Sequence, residues 1–153
     1  MDRLRSVRLL LQESSDPRNP PAEALVGLLE RLRRVAVVGL SRDPSKAAHR
    51  IPSYLAGEGY ELCPVNPHAA RLLGRPTSPT LSALREIVDL VVVFRPSAEA
   101  GAVIREALAL PGEPGIWLQE GIRADAEAAE ARAAGRLVVQ DLCIYKVHRM
   151  LST

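Results

Sequence analysis

A glycine, a serine and a lysine follow an apolar run in a pattern that could bind phosphate. Residues 35–38 are apolar and mostly β-branched, and Gly39 and Ser41 then precede Lys46 and a helical pattern. This order predicts a strand, a tight loop and a helix N-terminus, where free backbone N–H groups can bind a phosphate. Because glycine lacks a Cβ atom, Gly39 would let the backbone approach that phosphate closely. We therefore expect a phosphate site in residues 39–46.

The loop departs from the glycine pattern of dinucleotide-binding proteins. That pattern places further glycines where this chain has Ser41 and Pro44. An acidic residue normally ends the second strand and binds the ribose hydroxyl groups, whereas this chain has Asn66 there. A neutral amide binds a phosphorylated ribose without the repulsion that a carboxylate would add. The sequence therefore disfavours an NAD site.

Several cations lie on or beside the same segments. They are Arg42, Lys46, Arg50 and Arg95, and the nearby acids are Asp43 and Glu120. The excess of positive charge favours a ligand with several phosphate groups. Coenzyme A (CoA) carries a 3′-phosphate besides its pyrophosphate, so it fits this charge better than NAD does. These residues by themselves predict a phosphorylated nucleotide.

The elements that must position these residues alternate between strand and helix. Predicted strands cover residues 35–40, 60–65, 90–94, 115–118 and 137–140. Between them we expect a helix from about His49 to Gly57, a helix that begins with Ser97 and Glu99, and an alanine-rich helix over residues 124–134. Near-continuous apolar strands between helices predict a parallel sheet covered on both faces. The fold class is therefore α/β, a Rossmann-like, doubly wound, mainly parallel five-stranded sheet.

Two amphipathic helices should precede the sheet as an N-terminal extension. Leucine and valine recur at helical spacing in residues 4–11, residues 14–21 form a proline-containing linker, and Pro21 suits the first position of a second helix. We interpret residues 1–34 as a helical extension packed on the domain, and residues 35–153 as the Rossmann-like ligand-binding domain.

The polar ends of the predicted strands should meet at one edge of the sheet. Parallel α/β sheets bind ligands beyond the carboxyl ends of their strands, where the strand order reverses. The segments that we expect at this edge are residues 39–46, Asn66 with Pro67, Arg95 with Pro96, and residues 119–121. Together they form the candidate site.

Five motifs of the chain resemble those of the small single-domain CoA-binding protein family. They are V-A-V-V-G-L-S (35–41), G-Y-E-L-C-P-V-N-P (59–67), D-L-V-V-V-F-R (89–95), W-L-Q-E-G-I (117–122) and D-L-C-I-Y-K-V-H-R (141–149). They occur in the family's order and spacing. The same fold forms the N-terminal domain of the succinyl-CoA ligase α subunit, whose glycine-containing motif resembles Q-E-G-I.

The resemblance implies a Rossmann-like CoA-binding domain with a defined contact set. The loop of residues 39–46 would hold the pyrophosphate, and residues 65–67 and 94–96 would flank the adenosine. The residues expected to bind CoA are Gly39, Leu40, Ser41, Arg42, Lys46, Arg50, Val65, Asn66, Pro67, Phe94, Arg95, Pro96, Gln119 and Gly121. The ligase's activity does not follow, because its phosphorylated histidine lies in other domains.

Composition excludes several other classes of partner and site. The formal net charge of +2 and the few aromatic residues disfavour a nucleic-acid partner. Cys63 and Cys143 lie far apart and outside any C-x-x-C pair, so neither a metal site nor a disulfide framework is expected. No apolar run approaches the ~20 residues of a membrane span, and we expect a cytoplasmic protein without a membrane partner.

Three functions fit these observations. The first is a module that binds CoA or an acyl-CoA. The second is an enzyme that acts on a CoA thioester, although no histidine stands at a spacing from a serine, cysteine or carboxylate that predicts catalysis. The third is an NAD- or nucleotide-binding redox sensor, which would need a DNA-binding segment. We expect the binding module; the acyl group, a homo-oligomer and an unidentified protein partner remain open.

Overall fold

The computed structural model describes residues 2–152. Its strands are β1 (Arg34–Val38), β2 (Glu61–Val65), β3 (Arg71–Leu72), β4 (Arg75–Pro76), β5 (Leu90–Val93), β6 (Gly115–Leu118) and β7 (Val138–Val139). Its α-helices are α1 (Arg3–Glu13), α2 (Ala22–Arg31), α3 (Ala47–Gly57), α4 (Ser97–Leu108), α5 (Asp125–Ala133) and α6 (Ile144–Leu151). Five strands form a parallel sheet, so the predicted Rossmann-like α/β fold is confirmed.

The strand order creates a crevice at one edge of the sheet. The order is β2-β1-β5-β6-β7, so the chain passes from β1 outward to β2 and then crosses back to β5 on the other side of β1. The loops that follow β1 and β5 therefore diverge to opposite faces and leave a gap between them. All five strands are parallel, and their carboxyl ends share this edge, as predicted.

The sheet is covered on both faces because alternate strand residues point in opposite directions. Val35 and Val37 pack in one buried layer with Val7 of α1, Leu25 of α2 and Leu55 of α3. The opposite layer joins the alternate residues of β1 to α4 and α5. The N-terminal helices therefore complete one layer of the core, with Val7 and Leu25 fully buried.

Helix α3 begins at Ala47, two residues before the predicted start near His49. The prediction is late because proline normally lies close to a helix N-terminus, whereas Pro52 is buried inside α3. Proline has no N–H group, so the carbonyl of Ala48 loses its usual helical partner. The Ser41 amide donates to that carbonyl at 3.0 Å. The proline thus frees an acceptor that closes the preceding loop.

Three further details differ from the prediction. Pro21 lies at the N-cap of α2 and not in its first turn. The antiparallel pair β3–β4 occupies a proline-containing segment for which we predicted no strands. Helix α6 was not predicted either, although Ile144, Val147 and Leu151 recur at helical spacing.

Candidate functional site

Two cavities open at the carboxyl edge of the sheet. The larger cavity has a volume of about 640 Å³ and lies between the start of α3, the end of β5, the residues after β6 and the start of α6. The smaller cavity has a volume of about 370 Å³ and lies between the ends of β1, β2 and β5 and one face of α4. Both sizes suit parts of a small molecule.

Gly39 ends β1 in a conformation that requires glycine. Its φ is +90°, which L-residues with side chains rarely adopt. A Cβ atom there would lie 3.0 Å from Cδ of Arg95 and 3.3 Å from the carbonyl carbon of Phe94. The loops after β1 and β5 can approach each other this closely only because Gly39 has no side chain.

The β1–α3 loop (residues 39–46) is closed by hydrogen bonds centred on Ser41. Its carbonyl accepts from Nδ1 of His49 at 2.7 Å, so that nitrogen carries the proton. The Ser41 hydroxyl accepts from the Asp43 amide at 3.1 Å, and the Asp43 carboxylate accepts from the amide of Ser45 at 2.9 Å. Hydrogen bonds from Ser45 lower the pKa of Asp43. The loop is thus held in one shape by its own polar groups.

The start of α3 has hydrogen-bond donors that the described residues 2–152 do not use. The amides of Ala47 and Ala48 donate to none of those residues, and both alanines line the larger cavity. The exposed side chain of Lys46, at the N-cap, forms no hydrogen bond or ion pair with them either. A helix N-terminus with free amides and an adjacent ammonium group attracts anions.

The other three predicted cations have partners within the protein. Arg42 donates to the carbonyl of His68 at 3.2 Å, and Arg50 donates to the carbonyl of Ser45. Arg95 forms an ion pair of 2.7 Å with Glu99. The charge count from the sequence did not include Glu99, which lines the smaller cavity together with Glu106. Positive charge is therefore less dominant there than the sequence suggested.

Asn66 links the ends of β1 and β2. Its Oδ1 accepts from the amide of His68 at 2.7 Å, and its Nδ2 donates to the carbonyl of Leu40 at 3.3 Å. Asn66 lines the smaller cavity beside Val65 and Pro67. The side chain therefore shapes the cavity wall as well as offering polar atoms to it.

Gln119 and Gly121, which follow β6, also make hydrogen bonds within the protein. Gln119 is buried; its Oε1 accepts from the Ile144 amide at 2.9 Å, and its Nε2 lies 3.7 Å from Sγ of Cys143. Gly121 has a φ of +83°, and its amide donates to Asp141 at 2.6 Å. Gln119 thus fixes the N-terminus of α6, and Gly121 permits a turn.

The structure divides the predicted residues into three groups. The smaller cavity gathers Gly39, Val65, Asn66, Pro67 and Arg95. The larger cavity gathers Arg50, Phe94 and Gln119. Neither lining includes Leu40, Ser41, Arg42, Lys46, Pro96 or Gly121. Phe94 faces the larger cavity although its neighbour Arg95 faces the smaller one.

Three residues from the start of α6 line the larger cavity without having been predicted. They are Cys143, Tyr145 and Lys146. Lys146 forms an ion pair of 3.2 Å with Glu120, which also lines this cavity. The location of these three residues could be predicted from the sequence, because the segment that follows the fifth parallel strand must begin at the same edge of the sheet as the segments that follow the other four strands.

His148 joins α6 to α3 through an aromatic cluster. Its Nδ1 lies 2.6 Å from the hydroxyl of Tyr54, whose ring packs edge-on against Tyr145 at a centroid distance of 4.7 Å. Burial lowers the pKa of His148. The cluster therefore holds Tyr145 in place at the wall of the larger cavity.

Among residues 2–152, none of the helices is both long and apolar enough to cross a membrane. Within the same residues, no group of three or more His, Cys, Asp or Glu side chains has an arrangement that could hold a metal ion.

Known proteins resemble the chain over most of its length. The protein YneT of Bacillus subtilis, which is uncharacterized, is 34% identical over 130 residues that cover 85% of this chain and 96% of YneT. A solved Thermus thermophilus protein, cell-free ID.343, is 38% identical with a TM-score of 0.79, covering 84% of this chain and 97% of that one.

A larger protein contains a similar domain. The dinucleotide forming acetyl-coenzyme A synthetase 1 of Ca. Korarchaeum cryptofilum is 28% identical, with a TM-score of 0.55 over 69% of this chain but 25% of that one. The family model for a CoA binding domain matches residues 33–149. These matches and the fold agree, and the chain belongs to the CoA-binding domain family.

Proposed function

We propose that the protein binds CoA or an acyl-CoA at the carboxyl edge of its sheet. The observation that carries this proposal is a set of donors at the start of α3 that have no partner among residues 2–152: the amides of Ala47 and Ala48 and the ammonium group of Lys46. Membership of the CoA-binding domain family supports CoA as the anion that these donors bind.

The pyrophosphate would lie against the β1–α3 loop. The amides of Ala47 and Ala48 are aligned with the positive end of the α3 dipole, so both favour negative charge. Lys46 can reach either phosphate because its ammonium group is exposed and not held by another described residue. Gly39 allows the chain to turn without a side chain in the crevice.

The adenosine part of CoA would occupy the smaller cavity. Val65 and Pro67 supply apolar surface for the base, and Asn66 adds amide atoms for the ribose. Arg95 lines this cavity, and Arg42 lies beside it through its hydrogen bond to His68. These guanidinium groups are the candidates for binding the 3′-phosphate.

The pantetheine arm would extend into the larger cavity. Ile51, Phe94 and Ile122 give this cavity apolar walls, while Arg50, Glu120 and Lys146 supply charged groups. A volume of about 640 Å³ leaves space for an arm that ends in a thiol or a thioester. Cys143 supplies a thiol to the wall, and its side-chain partner is an amide of Gln119, which cannot act as a base.

Calorimetric titration of ligand-free protein with CoA, dephospho-CoA, acetyl-CoA and NAD tests the proposal. We expect CoA to bind clearly more tightly than dephospho-CoA and NAD, because both lack the 3′-phosphate. Acetyl-CoA that binds as well as CoA would show that the site accepts a thioester. If CoA neither produces heat nor raises the melting temperature, the proposed function is wrong; if NAD binds most tightly, the sensor hypothesis replaces it.

A further inference from the structure

Asp141 occupies a backbone conformation that is unusual for a residue with a side chain. It follows β7 and precedes α6, and its φ is +52°. Aspartate tolerates this left-handed region better than most residues do, but the conformation still needs support from its surroundings. Such positions are often retained because the local geometry serves a site.

The Asp141 carboxylate joins two distant segments of the chain to its own. Its Oδ1 accepts from the Gly121 amide at 2.6 Å. Its Oδ2 accepts from the amide of Ser15 at 2.8 Å and from the hydroxyl of Ser15 at 2.7 Å. Burial raises the pKa of Asp141, but these hydrogen bonds outweigh that effect, so the pKa lies below its ordinary value.

The Asp141 backbone reinforces the same connection. Its amide donates to the carbonyl of Ile122 at 3.2 Å, so Asp141 contacts the β6–α5 loop through both its backbone and its side chain. Gln140, the preceding residue, exchanges hydrogen bonds with Asn19 and accepts one from Ser14. The linker between α1 and α2 is thereby fastened to the end of β7.

The segments that Asp141 joins form much of the larger cavity. Gln119, Glu120 and Ile122 line it from one segment, and Cys143, Tyr145 and Lys146 line it from the other. We infer that Asp141 is a positioning residue, which sets the separation of these two walls and couples them to the N-terminal linker through Ser15. This inference rests on the proposed function for its ligand, and on the structure alone for its geometry.

Two substitutions distinguish the effect of the Asp141 carboxylate from the effect of its backbone conformation. Asp141→Gly removes the carboxylate and suits a positive φ, while Asp141→Asn retains one acceptor oxygen and tolerates this φ. Asp89→Asn is a matched control, because the Asp89 carboxylate accepts from the amides of Arg33 and Arg34 at 3.0 Å at the opposite edge of the sheet.

Two ligands, one with the pantetheine arm and one without it, distinguish the larger cavity from the rest of the site. For Asp141→Gly we expect CoA affinity to fall about five- to tenfold, with an intermediate loss for Asp141→Asn. Adenosine 3′,5′-bisphosphate, which lacks the pantetheine arm, should bind both variants within about twofold of the wild type. An equal loss for both ligands, an unchanged CoA affinity, or the same loss in Asp89→Asn would overturn the inference.

Hydrogen exchange in the ligand-free protein tests the geometry independently of CoA. In Asp141→Gly, amides of residues 119–122 and 143–146 should exchange faster, while those of residues 39–48 should not change. Uniform acceleration, or no acceleration, would show that Asp141 does not hold these walls. If wild-type protein fails to bind CoA, the proposed function is lost, but the exchange result still decides the role of Asp141.

Discussion

The start of α3 (residues 46–48) and the segments joined by Asp141 lie at the same edge of the sheet but use their polar groups differently. At the start of α3, the amides of Ala47 and Ala48 and the ammonium group of Lys46 have no hydrogen-bond partner among residues 2–152. Around Asp141 the polar groups bond to one another, as the buried side chains of Asp16 and Gln140 illustrate.

We infer from this difference that the start of α3 binds the ligand, whereas the network around Asp141 maintains the shape of the cavity. Free donors next to a cavity can bind an anion with little reorganisation, since they give up only water. A satisfied network instead resists deformation, because breaking one bond leaves a buried polar group without a partner. We therefore expect substitutions in the first region to change affinity, and substitutions in the second to change stability or cavity shape.

Gly39→Ala should have the largest effect, because it adds both strain and a collision. The positive φ costs about 1–3 kcal/mol for a residue with a side chain. The new Cβ would also press on Arg95 and the backbone of Phe94. We expect a lower free energy of unfolding in urea and loss of detectable CoA binding. Gly59→Ala, at φ +98° with no atom within 4 Å of the added Cβ, measures the strain alone. If Gly39→Ala binds CoA as tightly as Gly59→Ala does, the close approach at Gly39 has no role in binding.

Lys46→Ala should weaken CoA binding about ten- to a hundredfold, since a charge-assisted hydrogen bond contributes roughly 1.5–3 kcal/mol. Stability should change by less than about 0.5 kcal/mol, because Lys46 is exposed and has no ion-pair partner among residues 2–152. Arg85→Ala is the control, because Arg85 is an exposed cation that lines neither cavity of the candidate site. Calorimetry measures both constants. An unchanged affinity in Lys46→Ala would remove Lys46 from the site.

Asp16→Asn should destabilise the protein by about 1–3 kcal/mol at pH 7. Burial raises the pKa of Asp16, but hydrogen bonds from Gln140, Arg18 and Arg132 outweigh this, and the pKa falls below its ordinary value of 3.8. The ionised Asp16 carboxylate therefore stabilises the folded state fully above pH 3.8, and this stabilisation is lost as the pH falls through the folded-state pKa of Asp16.

Urea unfolding at several pH values measures this contribution. The wild type and Asp16→Asn should converge below about pH 3.8. Asp125→Asn, which alters an exposed carboxylate bonded to the same Gln140, should cost much less. If the free energies of unfolding of wild type and Asp16→Asn differ by the same amount across the acidic range, ionisation of Asp16 is not the source of the stabilisation.

Asn66→Asp should have the smallest effect and test the charge of the smaller cavity. A carboxylate can still accept from the His68 amide but loses the bond to Leu40. Repulsion should raise the dissociation constant of CoA a few-fold more than that of dephospho-CoA, as expected for partly screened charges. Equal losses for both ligands would show that Asn66 does not lie near the 3′-phosphate.

Local sequence patterns predicted the parts of the fold that depend on few residues. The apolar run 90–93 reads as a buried parallel strand, and Gly115–Leu118 matches its predicted bounds. The edge that holds the candidate site followed from the same reasoning, since parallel strands end together. The tight loop predicted after β1 begins at Gly39, which has the positive φ that such a turn requires.

Contacts between distant residues set the remaining features, and the sequence pattern does not contain them. Asp141 and Ser15 are 126 positions apart, and nothing local relates them. The ion pair of Arg95 with Glu99 depends on side-chain orientation at the start of α4, so a count of charges missed it. Pro52 lies inside α3 and leaves the Ala48 carbonyl to the Ser41 amide, a contact that helical spacing does not predict.

The proposed contrast between the two regions is tested most directly by the amide NMR spectrum during titration with CoA. We expect the largest shift changes at the amides of Ala47 and Ala48, which have no partner among residues 2–152 in the ligand-free protein. The Gly121 amide, already bonded to Asp141, should move little. Large changes at Gly121 with none at Ala47 and Ala48 would show that the donors at the start of α3 do not hold the pyrophosphate.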